Sequence, residues 1–396
     1  MSRILITGIG AFSAIGDNVA ANRQALISGQ SGIRTLSNFP SRYAGSLPCG
    51  EITRTTDELK QSSGIDDPGV TRTSLIALQA LQEAIADAGL TPAQLRSSDT
   101  ALINASTVGG MCLTDELYHD ANNDGLAGSP FLSSYDNASV TLFLGKNLGI
   151  GGIQNTINTA CSSSANAILY GARLLRHGFA RRVIVGGADS LAKFTINGFK
   201  ALHILSANPC TPFDAQRTGL NLGEAGAYLV LEREEDCHDK KLYAQCVGYG
   251  NSNDSYHPSS ISDEGEGPFL CMQRALEAAQ LTPGDIDAIN AHGTATENND
   301  ETESRAMIRL FGTPPPFLST KAYTGHTLGA AGALEAVFSI LQLQHQECYP
   351  ALRFNEPIAS TGLIPSASYR SLPVTHIMSN SFGFGGNCSS LIFSAV

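Results

Sequence analysis

The same helix, stop and strand occur in the same order in both halves of the chain. Residues 75–92 (LIALQALQEAIADAGLTP) place Leu75, Leu78, Leu81 and Ile85 on one stripe at helical spacing. Gly89 and the following Leu-Thr-Pro stop that helix, and ALINAST at 101–107 reads as a strand. In the second half, LCMQRALEAAQLTP at 270–283 ends on the same Leu-Thr-Pro, and AINAHGT at 288–294 follows. Both strands contain Ile-Asn-Ala. A duplicated α/β unit would produce this echo, and so would chance, because a Leu-Thr-Pro stop is common and the shared triplet is short.

Further short apolar runs rich in β-branched residues are VIVGG at 183–187, AYLVLE at 227–232, DIDAINA at 285–291 and SSLIFSAV at 389–396. Runs of this kind alternating with helices predict a largely buried sheet covered on both faces. The opening MSRILITGIGAFSAIG reads as a first core strand entering a turn rather than as a secretion signal. The polar segment 251–268 (NSNDSYHPSSISDEGEGP) reads as a loop near the junction of two halves, residues 1–240 and 241–396. No low-complexity linker separates these halves, so one packed body is expected.

At 42% hydrophobic and 15% charged residues, the composition is that of a compact soluble protein. No apolar run approaches the ~20 residues of a spanning helix. The net charge of −11 argues against a nucleic-acid binder. An acidic protein partner would need a local basic patch, for which Arg54, Lys60 and Arg72 are candidates. Nine cysteines with no CxxC pair argue against a zinc ribbon and a disulfide framework, and their odd number suits a reducing, cytosolic compartment.

In TINTACSSSANAILYG at 156–171, a cysteine stands where a strand stops and a helix begins. Ile168, Leu169, Ala172 and Leu175 form the helix's stripe, and Gly178 ends it. Cys161 thus sits at a helix N-terminus, where free N–H groups and the macrodipole favour the thiolate, the nucleophilic form. Position alone leaves two readings, a nucleophile or a buried inert thiol.

Three more stretches bear on that choice. NAHGTATENND at 290–300 puts His292 at a strand end. STKAYTGHTLGAAGALEAVFSILQL at 319–343 carries Lys321 and His326 ahead of a glycine- and alanine-rich helix start, with Leu334, Val337, Phe338 and Leu341 as its stripe. NSFGFGGNCSSLIF at 380–393 is a glycine turn opening into the last strand. In this order, with the cysteine, they resemble the β-ketoacyl carrier-protein synthases of the thiolase superfamily over nearly the whole chain. The resemblance implies a thiolase-like, duplicated five-layer αβαβα body, an acyltransferase activity without cofactor or metal, and a homodimer. It implies an acyl carrier protein as partner, presenting acyl or malonyl groups on phosphopantetheine.

The resemblance also implies roles. TACSSS marks Cys161 as the acyl-accepting nucleophile, and AHGT and GHTLGAAG mark His292 and His326 as the paired histidines. STK marks Lys321, with Glu335 of GALE as its counter-charge. GFGG marks Phe384 as a gate whose N–H joins that of Cys161 in an oxyanion hole. Thr294 and Thr296 line the pantetheine entrance, and Val108 of TVGGM walls the acyl tunnel. The expected reaction is a decarboxylative Claisen condensation: thiolate attack builds an oxyanion, for which backbone donors are worth about 3 kcal/mol each. Loss of CO₂ then leaves an enolate that two neutral imidazoles stabilise by donating N–H bonds.

Departures from the pattern are Asn158, where an aspartate is usual, Thr218 after FDAQR, and GEAGA at 223–227. The start of the chain resembles GxGxxG, but Ser13 replaces the third glycine. Cys388 follows the glycine turn, where a wall residue is expected rather than a second thiol base. His177 and His345 read as cations closing helices. A non-decarboxylating thiolase and a chain-length-determining partner subunit stay open as alternatives, the second disfavoured by the intact TACSSS.

Overall fold

Strand β1 (Ile4–Ser13) is buried along its whole length. It is the strand of the first of two five-stranded sets that borders the second set in the computed structural model, which describes residues 2–123, 125 and 128–396. The other members of its set are β2 (Thr100–Ala105), β3 (Gln154–Ile157), β4 (Arg182–Asp189) and β5 (Ala225–Arg233). The second set is β6 (Ala244–Asn253), β7 (Ala288–Asn290), β8 (Phe317–Leu318), β9 (His376–Phe382) and β10 (Asn387–Ser394).

The ten strands run β8-β7-β9-β10-β6-β1-β5-β4-β2-β3. Numbered from its own first strand, each set has the order third, second, fourth, fifth, first. The pairings repeat as well. In both sets the second strand lies parallel to the third and fourth, and the fifth is antiparallel to both neighbours. The sets meet edge to edge where Leu5 and Ile6 of β1 pair with Gln245 and Ala244 of β6.

Helix α1 (Arg72–Asp87) covers β1 and β5 from outside, and α3 (Glu266–Ala279) covers β6 and β10 in the same way. Between the two sets lie α2 (Ser163–Arg176) and α4 (Ala331–His345), packed on each other and on strands of both halves. That sandwich position explains the composition of α4, buried on every side from Ala331 to Leu343. A helix with a polar face could not sit there. The result is the expected five-layer αβαβα body.

The echo has a physical basis. The repeated Leu-Thr-Pro does more than end α1 and α3. Thr91 and Thr282 are N-caps with capping boxes closed by Gln94 and Asp285, and each following proline opens the next helical turn. The two echoed asparagines, Asn104 and Asn290, are both fully buried. Asn104 bonds Thr141 and the Tyr228 hydroxyl, and Asn290 donates to the Glu335 carbonyl (3.2 Å).

Close packing repeats too. A Cβ on Gly8 of β1 would lie 2.5 Å from the Ala84 carbonyl of α1, and one on Gly248 of β6 would lie 2.8 Å from Ala279 Cβ of α3. β6 carries a weak strand signal, because its buried face is Ala244, Cys246, Gly248, Gly250 and Ser252. It extends to Asn253 and α3 starts at Glu266, so the loop expected over 251–268 shrinks to the residues between them. Likewise the strand expected over 285–291 is only Ala288–Asn290, because Thr282 to Ile286 are spent in the capped turn.

Gly8→Val drives a branched side chain into α1, and we expect a loss of about 2–3 kcal/mol of stability, read as a lower urea midpoint at unchanged slope.

Candidate active site

Beyond β3 the chain reverses into α2 through a tight elbow. Ala160, a non-glycine residue, is held left-handed there (φ 53°). Asn158 supports it by accepting from the Ala160 N–H (3.2 Å), a bond that asparagine makes as well as aspartate. Ser163 Oγ fixes the other side by accepting from the Thr159 N–H (2.9 Å). The elbow delivers Cys161 to the start of α2, buried at 5% exposure.

The thiol is not the resting thiolate that its helix position led us to expect. Burial pushes it up to about 11, against Lys321 and the N–H groups of Phe384 and Cys161, which favour the anion. Those two N–H groups converge on the sulfur from different elements. The turn carrying Phe384 approaches so closely that a Cβ on Gly383 would lie 2.6 Å from the Thr159 carbonyl.

His292 follows β7. Its own N–H and that of Gly293 both donate to the carboxylate of Glu303 (2.8 Å each), a buried residue of the helix Glu297–Phe311. Burial raises Glu303 to about 7, against those two donors. Next to it, Asp300 accepts from the N–H groups of Ala295 (3.1 Å) and Phe213 (2.7 Å). Neither carboxylate was singled out from the sequence. Acidic residues just after AHGTAT, one helical turn apart, are the signal that could have found them.

Lys321 starts a single helical turn, Lys321–Thr324, and is 2% exposed. Its Nζ lies 3.2 Å from His292 Nδ1, donates to the His292 carbonyl (2.6 Å) and forms an ion pair with Glu335 of α4. His326 Nδ1 accepts from the Leu328 N–H (3.2 Å). With each Nδ1 facing a donor, a neutral ring carries its proton on Nε2. Both rings are neutral: burial first, then Lys321, holds each well below the ordinary histidine range, with His326 adding to the effect on His292. The rings meet edge to face, centroids 5.5 Å apart.

Cys161, His292, His326, Thr294, Thr296 and Phe384 share one cleft of about 390 Å³. The two threonine hydroxyls lie 2.9 Å apart at its wall. Phe384 stacks on Phe199 (5.7 Å between centroids), and Phe382 lies 5.5 Å from the His292 ring. Phe199 and Phe382 were not legible as site residues, since only the tertiary fold aims them here. Among the described residues no cluster of His, Cys, Asp or Glu fits a metal ion.

Other expected residues lie elsewhere. Val108 is not among the residues lining the cleft; it packs in an apolar cluster with Leu191, Ile196 and Leu328, against which the lining residue Phe199 also packs. Cys388 is fully buried in another cluster with Cys271. Arg72 is no docking residue, because its guanidinium holds the buried Glu224. GEAGA at 223–227 is not the turn expected of it: Ala225 already opens β5, and Glu224 sits just before that strand. Arg54 and Lys60 are half-buried; Arg54 bonds Ser62 Oγ of the helix Thr56–Ser63, and Lys60 bonds the Asp67 carbonyl. Burial and Arg23 favour neutral His345, not the helix-closing cation expected of it.

Models of the family "Beta-ketoacyl synthase" match the chain over residues 1–237 (N-terminal domain) and 243–355 (C-terminal domain). The 3-oxoacyl-[acyl-carrier-protein] synthase 2 of Coxiella burnetii is 32% identical, over 100% of this chain and 99% of its own. The ishigamide ketosynthase/chain length factor superimposes with a TM-score of 0.91 at 27% identity, covering 100% and 99% of the two chains. AntDE:AntF, a type II polyketide acyl-carrier protein in complex with its ketosynthase, superimposes with a TM-score of 0.90 at 26% identity, covering 100% of both chains.

Because burial raises the folded-state value of the thiol, the thiolate emerges only as pH climbs toward it. Alkylation of Cys161 by iodoacetamide, followed by intact mass, is expected to rise about tenfold per pH unit from 7 to 9 without a plateau. Lys321→Met, which removes the nearby cation, should slow it further at each pH.

Proposed function

The chain belongs to the beta-ketoacyl synthase family, an acyl-transferring condensing enzyme, and from that membership we propose how its site works. The reading is a 3-oxoacyl-[acyl-carrier-protein] synthase that joins an acyl group held on Cys161 to a malonyl-derived unit, for fatty acid or polyketide elongation. One observation carries it: two neutral imidazoles, each with Nδ1 occupied, share a buried cleft with a cysteine whose sulfur faces two backbone N–H groups.

In the first half-reaction the Cys161 sulfur attacks the acyl thioester. The N–H groups of Cys161 and Phe384 hold the tetrahedral oxyanion. The thioester C–S bond breaks, the acyl group stays on Cys161, and the thiol proton leaves with the departing pantetheine sulfur. In the second, the malonyl thioester loses CO₂, and the electron pair moves onto its carbonyl oxygen. His292 and His326 donate Nε2–H bonds to that enolate without surrendering their protons. The enolate carbon attacks the acyl carbonyl, a C–C bond forms, and the Cys161 sulfur leaves as thiolate to regain a proton from water.

Burial keeps both rings neutral and Lys321 adds like-charge repulsion, while Glu335 offsets the burial of the lysine. A thiolase would use a second thiol as base; the position of Cys388 off the cleft favours the histidine chemistry. The intact nucleophile favours a catalytic chain over a non-catalytic partner subunit.

The partner we propose is an acyl carrier protein, with Thr294 and Thr296 guiding the phosphopantetheine arm. The carrier-protein complex of the structural relative supports this reading. A homodimer is supported by β3, which among the described residues pairs with β2 on one side only and leaves an edge that a second copy could extend. Leu142 (62% exposed) and Ile153 (38%) stand near that edge. Nine free thiols support a cytosolic setting, and no described helix is long and apolar enough to cross a membrane. We further propose residues 1–240 and 241–396 as the two halves.

Cys161→Ala should abolish the acyl adduct seen by intact mass while CO₂ release from malonyl carrier protein continues; normal condensation in that variant ends the proposal. His292→Ala and His326→Ala should still acylate, with extension down by about two orders of magnitude. Leu142→Asp is expected to run as a monomer in light scattering where the unaltered protein runs as a dimer.

A further inference from the structure

The turn that carries Phe384 is tied to the elbow at Cys161 by a knot of asparagines. Asn387, just past the turn, receives three donors on its Oδ1: Ser162 Oγ (2.8 Å), Asn166 Nδ2 (2.8 Å) and Asn251 Nδ2 (3.1 Å). Asn166 Oδ1 accepts from Ser389 Oγ (2.8 Å) and Asn251 Nδ2 (3.0 Å). Its Nδ2 also reaches Thr159 Oγ1 (2.8 Å), on the approach to Cys161. The Asn387 carbonyl accepts from the Gly383 N–H (2.7 Å) and so closes the turn around Phe384.

The location gives the knot its meaning. The two N–H groups facing the Cys161 sulfur belong to segments far apart in sequence. The Cys161 N–H is placed by the elbow, and the Phe384 N–H by the glycine turn. Glycines give that turn little rigidity of its own. Ser162 and Asn166 flank the first donor, and Asn387 ends the turn bearing the second. The knot is therefore a direct polar tie between them, and oxyanion stabilisation falls steeply when a donor is misplaced.

We infer that Asn387 is a positioning residue of the oxyanion pocket, holding the Phe384 N–H against Cys161, with Asn166 and Asn251 as its anchors. The inference rests on the roles proposed above for Cys161 and Phe384. It has a selective consequence. Acyl transfer passes through the oxyanion at these donors, whereas decarboxylation relies on His292 and His326, which the knot does not touch. Loosening the knot slows the first and spares the second.

Asn387→Leu removes the acceptor that Ser162, Asn166 and Asn251 share; Asn251→Ala removes one donor at the outer edge. Single-turnover acylation of Cys161 by an acyl-pantetheine thioester is read by intact mass, and CO₂ release from malonyl-pantetheine is measured on the same preparations. We expect acylation slowed about 10- to 100-fold in Asn387→Leu and a few-fold in Asn251→Ala, with CO₂ release within about twofold of the unaltered enzyme. Unchanged acylation in Asn387→Leu, or equal loss of both reactions in the variants, overturns the inference. Should Asn387→Leu not fold, Asn251→Ala decides by the same split. Failure of the unaltered enzyme to acylate Cys161 would instead overturn the reading of the site.

Discussion

A lysine ammonium buried at 2% exposure organises this molecule. A charge so placed needs an opposite charge and a full set of acceptors, or the interior rejects it. Glu335 of α4 supplies the first, and the carbonyl and Nδ1 of His292 supply the rest. The lysine and its partners come from three separate stretches, so β7, the turn at Lys321 and the central helix α4 must dock together before the charge is satisfied. Once it is, burial and then this same charge keep the two imidazoles neutral. Structural necessity and chemical use coincide in one group.

A second tension surrounds the sulfur. The cleft that excludes water from a condensation also raises the thiol, and backbone donors and Lys321 offset this only in part. The anion is thus favoured most when negative charge develops during attack, not at rest. This arrangement suits a nucleophile that must survive between turnovers, since a standing thiolate invites oxidation. Backbone strain gathers in the same neighbourhood. Ala160, Ala295 and Leu328, none of them glycine, all hold positive φ beside Cys161, the threonines or His326.

Duplication explains how one site draws on both halves. Each half presents the end of its second strand toward the centre, with Asn104 and Asn290 buried at equivalent places. The first half then supplies the elbow and its nucleophile, while the second supplies the histidines, the lysine and the gate. Neither half holds a complete site. The central pair α2 and α4, packed on each other, carries the nucleophile at one start and the counter-charge near the other.

Much of this was written locally. The helical stripes of α1 and α4, the Leu-Thr-Pro stops and the apolar strands could be read directly, because propensity and spacing act over a few residues, while Cys161, His292, Lys321, His326, Glu335 and Phe384 were marked by the resemblance of their motifs to a known family. Strand β6 could not, since its buried face is small and polar. Glu303, Phe199, Phe382 and the asparagine knot were also hidden, and Val108 lies in an apolar cluster behind Phe199. The thiol was misjudged for a related reason: a helix N-terminus is visible in sequence, but the depth at which the fold buries it is not. Sequence by itself determined which groups the protein owns and the elements that carry them. Tertiary structure alone decided which of those groups meet and how far they lie from water, because desolvation and convergence across the chain belong to the packed whole and to no segment of it.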